Sequence, residues 1–118
     1  MDDRLTKALD FANYRSALFN RKGEIKLAVD TMMKYAINGG IFQIDRELIN
    51  FVRMLLDQDR TEVVLVDANE NPIRIDDLPT FFDEIFSRYF EATNFYHLEY
   101  TKLRKARTVE EIMQMGKL

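Results

Sequence analysis

The residue types that can move protons, hold metals or grip phosphates are few in this chain and scattered. His97 is the sole histidine, and cysteine is absent. No acid or second histidine stands three or four residues from His97, the spacing at which helical side chains meet, and Glu99 points elsewhere on a helix. His97 therefore reads as a surface or packing residue. Asp76, Asp77, Asp83 and Glu84 form a carboxylate cluster of a kind able to do acid–base or metal work. The plainer reading is a helix N-terminus loaded with acids that complement its dipole. Lys102, Arg104, Lys105 and Arg107 bring four cations into six residues. Such a patch can grip phosphates, with Arg15, Arg21, Lys22 and Lys26 as its extension. The competing reading sets those cations against the negative end of a helix. The tyrosines and phenylalanines of the same segment can stack bases, but their spacing suits a core or an interface better. No phosphate-cradling or nucleophile-elbow glycine motif occurs, and Gly39-Gly40 reads as a helix stop. The chain is therefore expected to hold no catalytic, cofactor or metal site and not to be an enzyme.

These groups hang on one long segment, Leu78 to Ala106. Alternate steps of four and three residues reach Leu78, Phe82, Ile85, Tyr89, Ala92, Tyr96, Glu99, Leu103 and Ala106, all apolar or aromatic except Glu99. That spacing, held over about four heptads, marks a coiled-coil-like seam packed on another helix. Phe81, Phe82, Ile85, Phe86, Tyr89 and Phe90 widen the apolar arc to roughly half the circumference, more than one neighbouring helix covers. A second body is needed there, such as a small sheet or another subunit. Phe95 and Leu98 lie off the seam. Phe81, Phe86, Phe90, Phe95 and Leu98 are the expected interface residues.

The rest of the chain supplies partners for that segment. Asp2 or Asp3 caps a first helix expected from about Asp3 to Ile37 and bent near Gly23, the alternative being two helices with a turn there. Ile41–Ile44 reads as a strand. Asp45 caps a second helix over about Arg46 to Gln58, whose wide apolar face makes it the most enclosed helix expected. Thr61–Ile75 reads as a hairpin, with Pro72 placed where no ladder donor is needed. Asp76 and Asp77 cap the long segment, Pro79 sits in its first turn, and Thr108 with Glu111 spells a capping box for a tail helix from Val109 to Met115. The expected fold is α+β and predominantly helical, a single domain over residues 1–118. A long antiparallel helix hairpin carries the middle helix and a small three-stranded antiparallel sheet at one end. The order, α-β-α-β-β-α plus a short C-terminal helix, is loosely similar to prefoldin subunits, which lack the middle helix.

Bulk properties agree with a folded domain. The apolar fraction is 47%, the charged fraction 31% and the formal net charge -3. That mild charge gives no reason to expect wholesale binding to nucleic acid or membrane. No apolar run approaches the roughly 20 residues of a membrane span. The opening MDDRLTKALDF lacks an apolar core, so a secretory signal is not expected and a cytoplasmic location is.

The stretches MDDRLTKALDFANYRSALFN, NGGIFQIDRELINFV and NPIRIDDLP, with the following RYF, resemble a small protein family of unknown function from contractile-tailed cyanophages and marine viral metagenomes. The resemblance implies a viral origin and expression in an infected bacterial cell, and it carries over no functional residue. The function expected is that of a non-enzymatic, homo-oligomeric interaction or accessory protein, most simply a dimer, whose other partner is viral or host protein. The alternative is a nucleic-acid-binding accessory protein using the basic end of the last long helix.

Overall fold

The computed structural model describes residues 2–115 and is mostly helical, with small antiparallel sheets. The order is α1 (Asp3–Met32), β1 (Lys34–Ile37), β2 (Gly40–Gln43), α2 (Arg46–Asp57), β3 (Val63–Val66), β4 (Pro72–Ile75), α3 (Leu78–Lys105) and α4 (Val109–Gln114). The helix-dominated α+β class is thus present. The chain divides into two compact units, one of Met1–Val29 with Asn94–Leu118 and one of Asp30–Thr93.

The Asp30–Thr93 unit departs from expectation in its sheet. The three-stranded sheet is replaced by two separate hairpins, β1–β2 and β3–β4. α1 stops at Met32 instead of Ile37, and the residues after it form β1, paired Lys34 to Gln43 and Ile37 to Gly40. Asn38 and Gly39, with φ of 52° and 82°, are the turn of this hairpin. Two consecutive positive φ angles suit the right-handed twist of paired strands, and Asn-Gly adopts them cheaply. Gly39-Gly40 is therefore a turn and a strand start, not a helix stop. Tyr35 and Ile37 are half-buried while Lys34 and Ala36 are exposed, a period of two that no helix gives.

The second hairpin is as expected, with Leu65, Ile73 and Ile75 turned inward. Asp67 ties it to the first. Its Oδ1 accepts from the N–H groups of Asn69 (3.0 Å) and Asn71 (2.8 Å), and its Oδ2 accepts from Ile41 N–H (3.0 Å). Ala68 N–H donates to the Ile41 carbonyl at 2.8 Å, and the Asn38 side chain donates to the Arg74 carbonyl at 2.9 Å. These few bonds take the place of a third ladder. Gly40 is where the hairpins crowd, since a Cβ there would meet Ile73 side-chain carbons at 2.5 and 2.8 Å.

α2 begins where Asp45 accepts the Leu48 N–H at 2.7 Å. It is not the most enclosed helix. Val52 alone is fully buried, and Phe51 and Met54 are exposed. The core of this unit gathers Phe42, Ile44, Val52, Leu65, Ile75, Leu78, Phe81 and Ile85. Phe81 meets Phe42 edge-on at 5.2 Å and stacks on Tyr35 at 5.8 Å.

In the other unit, α1 runs unbroken through Gly23 and packs antiparallel on the last turns of α3, early residues of one meeting late residues of the other. Tyr14 Oη donates to the Ala106 carbonyl at 3.0 Å, and Arg21 lies beside Glu99. Ile25, Leu103, Ala106 and Ile112 form the core, with Tyr14, Leu18 and Tyr96 against it. α3 ends at Lys105, one residue short of the Leu78–Ala106 segment expected. The Thr108 side chain accepts the Glu111 N–H at 3.1 Å, and the Glu111 carboxylate accepts the Arg107 N–H at 2.9 Å. The capping box is closed one residue early.

Candidate functional site

Every position of the 4–3 seam from Leu78 to Ala106 is buried or half-buried. Its one acid is paired. The Glu99 side chain, 9% exposed, lies 3.8 Å from the Arg21 guanidinium and 3.2 Å from Lys102 Nζ, and Arg21 also reaches Glu24 at 3.0 Å. A carboxylate enters an apolar seam only where a counter-charge follows it, since an uncompensated buried charge is strongly destabilising. Arg21 and Lys102 are thereby drawn out of the expected phosphate-gripping patch.

The rest of that patch separates as well. Arg107 turns back to donate to the Arg104 carbonyl at 2.9 Å, capping α3. Lys105 is exposed. Arg104 lies over the Tyr100 ring at 6.0 Å. Tyr96, Tyr100 and Arg104 follow one another at four-residue steps on α3. Across from them Lys22 and Lys26 stand one turn apart on α1. Two adjoining hollows of about 150 Å³ each lie between these rows, one lined by Lys22, Ile25, Lys26, Tyr96, Tyr100 and Leu103. The other shares Lys22, Tyr100 and Leu103 and adds Tyr14, Leu18 and Arg104. Among the described residues no carboxylate lines either hollow, and none of Lys22, Lys26 and Arg104 takes part in an ion pair. The sequence shows the four-residue steps on each helix. It does not show that Lys22 and Lys26 face the tyrosines while Arg21 turns inward.

The expected interface residues also divide. Phe81 is 1% exposed and belongs to the core, so it cannot meet a partner. Tyr35 of β1 and Phe42 of β2 cover the Phe81 side of the arc that the sequence left open to a second body. Phe82, Phe86 and Phe90 form a ladder with ring centroids 5.4 and 4.8 Å apart, and Phe86 and Phe90 are 42% and 48% exposed. In the other unit Leu98 is exposed and Phe95 half-buried, while Leu5, Leu9 and Phe19 lie open on α1.

The carboxylate cluster is dispersed into local roles. Asp76 pairs with Arg74 at 2.8 Å, Glu84 with Arg88 at 2.6 Å, and Asp83 is exposed. Asp77 accepts the Thr80 hydroxyl at 2.7 Å and its N–H at 3.2 Å, bonds that hold its carboxyl below the usual carboxylate range. His97 is exposed. Among the described residues no three His, Asp or Glu side chains are grouped to hold a metal ion, and no helix is long and apolar enough to cross a membrane.

The chain is a helix-dominated α+β protein. No known protein family, curated protein or solved structure matches it.

Proposed function

We propose that this is a non-enzymatic interaction protein that associates with a second copy of itself through α3. The observation that carries the reading is the Phe82–Phe86–Phe90 ladder. Phe86 and Phe90 stay in contact with each other yet leave nearly half their surface to water. Isolated exposed apolar residues are ordinary, but contiguous aromatic ones mark association surfaces. Two-fold pairing suits such a patch, because one self-complementary surface serves both copies. The resemblance of the quoted stretches to cyanophage proteins supports a role in the cytoplasm of an infected cell, where a viral or host protein is the further partner.

Sedimentation or light scattering at tens of micromolar tests the reading. The wild-type chain should run as a dimer and the Phe86→Glu, Phe90→Glu variant as a monomer with unchanged circular dichroism. A wild-type monomer at that concentration would sink the proposal, as would a dimer indifferent to both substitutions.

A further inference from the structure

The structure assigns the groove between Lys22–Lys26 of α1 and Tyr96–Tyr100–Arg104 of α3 to single-stranded nucleic acid. The assignment is independent of self-association.

Charge is the first argument. The chain carries a net charge of -3, yet three cations converge here without an ion-pair partner among the described residues. Other described cations, Arg15, Arg46 and Lys105 among them, also stand outside any ion pair, but Lys22, Lys26 and Arg104 are the cations that line these two adjoining hollows, where no carboxylate joins them. Cations left together and unneutralised are a place for a polyanion to displace its counterions.

Shape and ring chemistry choose among polyanions. Each hollow, at about 150 Å³, is smaller than the roughly 300 Å³ at which pockets begin to enclose a small molecule, so one hollow alone suits a part of a longer ligand. The two hollows adjoin, sharing Lys22, Tyr100 and Leu103, which suits an extended strand that passes from one to the other. Tyr100 is 44% exposed and presents a ring for a base to stack on, and Arg104, its guanidinium 6.0 Å from that ring's centroid, supplies a third phosphate contact beside Lys22 and Lys26. Lys22 and Lys26, one turn apart, stand at about 6 Å, a reach that lets each meet a separate phosphate. A duplex hides its bases from such rings. An acidic peptide has charge but no bases to stack, so the tyrosines favour an unpaired strand.

Fluorescence anisotropy with an end-labelled oligothymidylate of about 12 nucleotides, on the full chain, tests the assignment. Binding should appear in about 50 mM salt and weaken about 20-fold by about 200 mM, a log–log slope near -2 for three phosphate contacts at -0.7 each. Lys22→Gln with Lys26→Gln should reduce the slope to about -0.7. Tyr100→Ala should weaken binding about tenfold with the slope unchanged, and Tyr100→Phe should restore it. All of these side chains but Tyr96 are exposed, so circular dichroism should not change. Absence of binding in about 50 mM salt overturns the assignment. So does an abasic strand or polyglutamate of equal length that binds as tightly, or a slope indifferent to the lysine substitutions.

Discussion

Glu99 and Arg21 show how a single residue decides what a helix face can do. Glu99 occupies a seam position that periodicity reserves for an apolar side chain, and its carboxylate is tolerated there because Arg21 and Lys102 approach it. The pair need not be a net source of stability, since two charges have been desolvated to make it. Breaking it is another matter. Glu99→Ala should lower unfolding free energy by about 3 kcal/mol by leaving the guanidinium buried without that carboxylate. Arg21→Met combined with Glu99→Leu should recover most of the loss. Urea denaturation of wild type, Arg21→Met, Glu99→Leu and the double variant measures the coupling, and a double variant as unstable as Glu99→Leu alone would show that the seam needs the charges themselves.

Among the elements, the two hairpins depend on one carboxylate. The N–H groups of Ile41, Asn71 and Asn69 all bond the ionised Asp67 side chain, and they lower its pKa below the ordinary carboxylate value against the opposing pull of burial. A group with a depressed folded pKa stabilises fully above its unfolded value of about 3.9 and loses that contribution as pH falls through the lower folded value. The stability gap between wild type and Asp67→Asn should therefore be wide near neutral pH and close as the medium is acidified below about pH 4. A gap that stays constant in urea melts would separate Asp67 from the acid transition. The sequence discloses the turn around Asp67 and the strand that follows, because local chemistry dictates both. It also discloses the caps at Asp45, Asp77 and Thr108. It conceals the first hairpin, since Met32 and Ala36 continue the heptad count while Tyr35 and Ile37 obey a period of two. Tertiary packing of Tyr35 on Phe81 decides between them. It conceals, too, which face of α1 meets α3, because that choice turns on the register of one helix against the other.

At the scale of the whole molecule, association and stability are linked. If two copies join in the folded state only, mass action favours folding at high protein concentration. The thermal midpoint of the wild-type chain should rise as concentration is raised from a few micromolar to a few hundred, and the Phe86→Glu, Phe90→Glu variant should melt at one temperature throughout. Scanning calorimetry over that range makes the comparison, and a wild-type midpoint that does not move would count against a dimer coupled to folding. The chain's -3 charge is no obstacle to either proposed contact, because the exposed phenylalanines and the cation-lined groove are local departures from the average.

The hydrogen bond from Tyr14 to Ala106 joins residues 92 positions apart. The compact unit to which both belong is drawn from two distant segments, whereas its companion is one continuous run from Asp30 to Thr93. During translation the continuous run can mature as it leaves the ribosome, while α1 waits with one side uncovered until residue 106 has been made. In that interval Leu18 and Ile25 of the nascent helix lack the cover that Leu103 and Ala106 give them in the folded chain.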